Sequence, residues 1–140
     1  MSSFYRNRGG VGGPAAWRRF LRQWSPRDVQ RDIAILKEVI RRLVRVAEPD
    51  QVILFGSAAR GHMHPNSDFD LLVIKSGISD TYEFTRYLHA HLFDIRMPID
   101  LIVATPEEIE ASQYKMLGQI YAQGRRLYPS RQAQRYQPRL

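Results

Sequence analysis

The chain has 140 residues, no cysteine and a formal net charge of +7. That length suits one domain of ordinary size rather than two full cores. The lack of cysteine excludes a disulfide scaffold, a thiolate zinc site and a cysteine nucleophile. Hydrophobic residues at 44% and charged residues at 25% give a globular profile, and no apolar run approaches the roughly 18 residues that span a bilayer. The start, Met1 to Arg6, lacks the apolar stretch of a secretory signal, and Gly9, Gly10, Gly12, Gly13 and Pro14 would break the amphipathic helix of a transit peptide. The expectation is a soluble, cytoplasmic protein without a membrane partner.

The elements follow in chain order. Trp17, Phe20, Leu21 and Trp24 recur at helical spacing and predict a short amphipathic helix. Ser25-Pro26 reads as the N-cap and first position of a second helix. Val29, Ile33, Leu36, Ile40, Leu43 and Val44 carry that helix to about Ala47, where Glu48-Pro49-Asp50 ends it. Val52 to Phe55 is a short apolar run that stops at Gly56-Ser57 and predicts a buried strand. Asp68 to Ile74 and Ile99 to Val103 predict two more. A helix is expected between them from about Asp80 to Arg96, on Tyr82, Phe84, Tyr87, Leu88, His91, Leu92 and Ile95. Thr105-Pro106-Glu107-Glu108 starts another helix. Met116, Leu117, Ile120 and Tyr121 mark a last one, closed near Gly124, and Leu127-Tyr128 can add an edge strand. The fold class this implies is α/β or α+β, a small mixed central sheet covered by helices.

Charge is segregated along this order. Residues 1–47 hold 11 Lys and Arg against 3 acids, residues 48–112 hold 4 against 11, and residues 113–140 hold 6 against none. An acidic centre suits a cation; basic ends suit a polyanion or are simply solvated. The divisions expected are a basic extension at 1–27, a folded domain at 28–128 and a basic tail at 129–140.

One constellation carries chemistry. Gly56-Ser57 ends the first strand, and Asp68-Phe69-Asp70 opens the second. Alternation puts Asp68 and Asp70 on one face. Two carboxylates side by side on an apolar strand repel each other and are costly to bury, and a hard divalent cation relieves that cost. Asp100 sits in the next apolar strand; if the strands are neighbours, three carboxylates converge at one edge of the sheet. Singly, each has a bland reading as a turn cap or a partner for an arginine. Gly56 permits close backbone approach, and Ser57 with the following amides can cradle a phosphate, helped if a helix starts there. Arg60 is open to two roles, balancing phosphate charge or pairing with one of the carboxylates. His62 and His64 read as surface loop residues and Lys75 as solvated.

Gly56-Ser57, Asp68, Asp70 and Asp100 together resemble the signature of the nucleotidyltransferase superfamily, with its polymerase-β-like fold. The small size and the stretch Gln119 to Tyr128 resemble the minimal nucleotidyltransferases, which include antitoxins paired with HEPN-domain toxins. The resemblance covers residues 28–128. It implies that Asp68, Asp70 and Asp100 hold magnesium, with manganese an alternative, and that Asp100 accepts the acceptor's proton. It also implies that Gly56, Ser57 and Arg60 hold the phosphates of ATP or another NTP. The transfer it implies is of a nucleoside monophosphate to a hydroxyl, best that of a HEPN-type partner protein. Two other readings are a non-catalytic module that neutralises a partner by binding, and transfer to a small-molecule acceptor. Nucleic-acid binding rests on the charge of the ends alone and ranks last; a homo-oligomer is compatible with any of these.

Overall fold

Helix α1 (Arg27–Ala47) carries Ile33, Leu36, Val39, Ile40, Leu43, Val44 and Ala47 on one stripe, all buried, while Arg31, Arg41 and Arg45 face solvent. Glu48 takes a positive φ of 47°, its N–H bonds the Val44 carbonyl, and the helix stops there. The structure is a computed structural model that describes residues 27–60, 68–112 and 115–129. The expected helix at Trp17–Trp24, the Ser25-Pro26 cap, His62, His64 and most of the two basic ends lie outside those residues.

Strands β1 (Gln51–Phe55), β2 (Phe69–Ile74), β3 (Ile99–Ala104) and β4 (Arg125–Tyr128) form one sheet in the order β3-β2-β1-β4. β1 runs antiparallel to β2 and β4, while β2 and β3 are parallel. The mixed sheet expected from the sequence is therefore present, with Leu127 and Tyr128 on the edge strand. Parallel neighbours need a crossover, supplied here by α2 (Thr81–Ala90), which is capped by the Asp80 carboxylate accepting from Glu83 N–H.

The sequence predicts α2 out to Arg96, and the structure corrects this to Ala90. Beyond it the backbone tightens into three-residue bonds, His91 N–H to Leu88 O, Leu92 N–H to His89 O and Ile95 N–H to Leu92 O. Arg42 of α1 holds this turn, donating to both oxygens of Asp94 (2.6 and 3.1 Å) and to the His91 carbonyl (3.2 Å). Leu92 and Met97 still reach the core, so helical spacing of apolar residues continues where the helix does not. The Lys75 amine donates to the Glu48 carbonyl at 3.0 Å in an exposed bond.

The sheet has two unlike faces. Val52, Leu54, Phe69, Leu71, Val73 and Val103 point to α1 and α2 and form the main core with them. Ile53, Leu72, Ile74 and Ala104 point the other way and meet a smaller cluster containing Ile109, Leu117 and Ile120. That cover comes from α3 (Pro106–Ala111), opened by a Thr105–Glu108 capping box, and α4 (Met116–Gln123). Gly124 closes α4 with φ of −74°, not a left-handed cap. A Cβ there would lie 2.5 Å from Ile53 Cγ2 and 2.8 Å from the Ile120 carbonyl, so glycine is required by close packing. Among the described residues no helix is long and apolar enough to cross a membrane.

Candidate active site

The second face is where the singled-out residues gather. Register pairs Phe55 with Asp70 and Asp70 with Asp100. These three therefore form one row across β1, β2 and β3 at one end of that face, where Phe55 packs against the small cluster. Asp100 lies on β3, the edge strand, and Asp70 on its interior neighbour β2. Asp70 is half-buried and Asp100 exposed. Burial, then the charge of Asp100 and hydrogen bonding to it, then the charge of Asp68, push the Asp70 carboxyl above its ordinary range.

Asp68 is placed differently from its partners. It lies just before β2, exposed, and acts on Asp70 through its charge. β2 begins at the next residue, Phe69. Among the described residues no group of three or more His, Cys, Asp or Glu is arranged to hold a metal ion. The fold supplies a close pair, Asp70 and Asp100, with a third carboxylate beside it.

Gly56 sits against this pair with φ of +78°. A Cβ on it would lie 2.3 Å from Asp70 Oδ2. The Asp70 carboxylate thus approaches this glycine closely, a contact between two strands. Beyond it Ser57 is exposed, and the chain makes only a three-residue turn, Ala58–Arg60, closed by Ala59 N–H to Gly56 O and Arg60 N–H to Ser57 O (3.1 Å each). The helix start that would have helped an anion is no more than this turn. Among the described residues no ion pair joins Arg60 to a carboxylate.

The sequence reading missed two residues. Arg125 of β4 donates through Nε to the Ala59 carbonyl and ties the turn to the sheet. No local signal marks it, because the contact bridges distant parts of the chain. Phe55 shares the carboxylate row, which alternation from Ile53 would have revealed.

The polymerase β nucleotidyltransferase family model matches residues 37–133, a span that contains the Gly-Ser turn and all three aspartates. The chain belongs to this family. The match reaches from within α1 to just past β4, so the nucleotidyltransferase domain includes every strand described above. A solved structure of a candidate nucleotidyltransferase from Sulfolobus solfataricus is 28% identical; the similarity covers 71% of this chain and 81% of that one, with a TM-score of 0.41. No curated protein matches the chain.

Proposed function

We propose that the protein transfers a nucleoside monophosphate from an NTP, with ATP the preferred donor, to a hydroxyl of a partner protein. The observation that carries the reading is the Asp70–Asp100 pair, in register at the open end of the sheet beside Gly56-Ser57. Two adjoining carboxylates, one of them driven toward its protonated form, are a poor arrangement alone and a good one around a cation. An oxygen-only donor pair suits magnesium, which commonly takes one or two carboxylates plus substrate phosphates. Two protein ligands therefore fit, and manganese would be accepted by the same oxygens. Asp70 and Asp100 would hold the ion, with Asp68 beside them for a second one.

Bound magnesium would neutralise phosphate charge and ease ionisation of the acceptor hydroxyl. The residues do the rest. Gly56 and Ser57 hold the β- and γ-phosphates, and Arg60 meets their charge. Asp100, the more exposed of the pair, takes the hydroxyl proton. The acceptor oxygen bonds to the α-phosphorus, the bond to the bridging oxygen breaks, and pyrophosphate leaves. The acceptor class, a HEPN-type toxin for which this chain is the antitoxin, rests on the likeness of residues 119–128 to the minimal nucleotidyltransferases.

The test is to purify the chain with its partner, incubate with each NTP and magnesium, and weigh the partner. The expected result is a gain of one AMP with ATP, absent for Asp70→Asn. An unmodified partner with all four NTPs would overturn the reading.

A further inference from the structure

The opposite end of the same sheet face carries a concavity. It is a cavity of about 420 Å³ lined by Gln51 and Ile74 of the sheet, Pro106, Ile109 and Glu110 of α3, Gly118, Tyr121 and Ala122 of α4, and Asp50. Each helix contributes positions i, i+3 and i+4, which lie on one helical face. The small side chains at 118 and 122, one turn apart, leave the space between the helices open. Ile74 is four residues along β2 from Asp70, roughly 13 Å at about 3.3 Å per residue, so the cavity is separate from the carboxylate row.

Its chemistry is specific. The floor is aliphatic, from Ile74, Ile109 and Pro106. The charged groups of the lining are both carboxylates, Asp50 and Glu110. Asp50 is fixed by accepting from Ser76 N–H at 2.7 Å. The Tyr121 hydroxyl accepts from Gln51 Nε2 at 3.2 Å, which leaves its own proton to donate. The nearby Lys75 amine donates one hydrogen bond to the Glu48 carbonyl. A cavity of this volume with an apolar body and a few polar groups in its lining is typical of small-molecule sites. We propose that it binds a small organic cation, an amidinium or ammonium carried on a compact apolar body, with Glu110 and Asp50 taking the charge and the Ile74–Ile109 floor taking the body. The site does not depend on nucleotidyl transfer.

Benzamidine and its neutral counterpart benzamide are the probes, titrated into the full chain without nucleotide and followed by amide NMR shifts. Benzamidine should bind at least tenfold more tightly than benzamide, with shifts confined to residues 50–51, 74, 106–110 and 118–122. Glu110→Gln should remove most of that preference. Ala122→Phe, at an exposed rim position, should block both probes while leaving the spectrum of the rest of the domain in place. Equal binding of the two probes, no binding of benzamidine, shifts elsewhere, or an unchanged preference in Glu110→Gln would each overturn the proposal.

Discussion

On the face of β2 that meets α1 and α2, Phe69, Leu71 and Val73 are all fully buried. On its other face burial is graded: Ile74 and Leu72 are covered by α3 and α4, and Asp70, at the open end, is only half-covered. One strand thus serves two purposes through its two-residue period. The covered face supplies stability; the uncovered end of the other face holds charged groups that a core would not accept. The difference teaches that in so small a domain the site is made by withholding cover. Tests of the comparison should therefore separate effects on stability from effects on the site.

The largest stability effect belongs to the covered face. Leu36 of α1 is wholly buried against the sheet, and Leu36→Ala should cost about 2–5 kcal/mol by urea unfolding, the usual range for a buried leucine. Leu117, only partly buried on the other face, should cost less than about 2 kcal/mol when changed to alanine, below that range. Equal costs would mean that the two faces are not energetically distinct.

Gly56→Ala comes next. The left-handed conformation costs a non-glycine residue roughly 1–2 kcal/mol, and the added methyl occupies the place of Asp70 Oδ2. Melting temperature should fall moderately and ATP binding in magnesium should be lost, because Asp70 is displaced. Ser57→Ala, measured beside it, should weaken ATP binding by only one hydrogen bond, roughly 0.5–1.5 kcal/mol. Normal ATP binding by Gly56→Ala would show that the carboxylate does not need its present position.

Much of this was legible in the sequence, for definable reasons. The strands were, because runs such as Ile53-Leu54 and Leu71-Leu72-Val73-Ile74 are buried on both faces. The start of α3 at Thr105-Pro106-Glu107-Glu108 was legible because its whole chemistry lies within four residues. The end of α2 was not, because Leu92 and Ile95 keep helical spacing while Arg42, some fifty residues away in sequence, holds the turn. The pairing of Asp70 with Asp100 depended on strand order, which no local pattern fixes. Gly56 was found for its motif, but its contact with Asp70 was not legible, because that contact joins two strands. The cleft between α3 and α4 was not foreseen, since Gly118 and Ala122 read only as helix residues.

Acid should separate the two regions further. Arg42 on the α1 side holds the Asp94 carboxyl below its ordinary range, chiefly through hydrogen bonding. A lowered folded-state value stabilises the protein above the ordinary carboxylate range, and that contribution is lost as pH falls through the lowered value. Asp94 is exposed, so Asp94→Asn should reduce melting temperature only slightly at neutral pH. Variant and wild type should converge in strong acid. A difference that persists there would mean that Asp94 acts by packing rather than by charge.

Asp70 should show the opposite sign. Its folded-state value is raised, by burial first and by Asp100 second. Folded protein therefore holds a proton at pH values where the unfolded chain has released it, and stability is lost as pH rises from the ordinary carboxylate range through the raised value. Asp70→Asn removes the ionisation and keeps a group that can donate to Asp100. Without magnesium it should melt slightly higher than wild type at neutral pH. That advantage should shrink as pH is lowered below the ordinary carboxylate range, where wild-type Asp70 is protonated in both states. With magnesium and ATP the order should reverse, since the wild type alone keeps both carboxylates to bind the ion. A melting temperature for Asp70→Asn that is lower in the absence of magnesium, or that is raised by magnesium and ATP as much as the wild type's, would break the link between the open end of the sheet and cation binding.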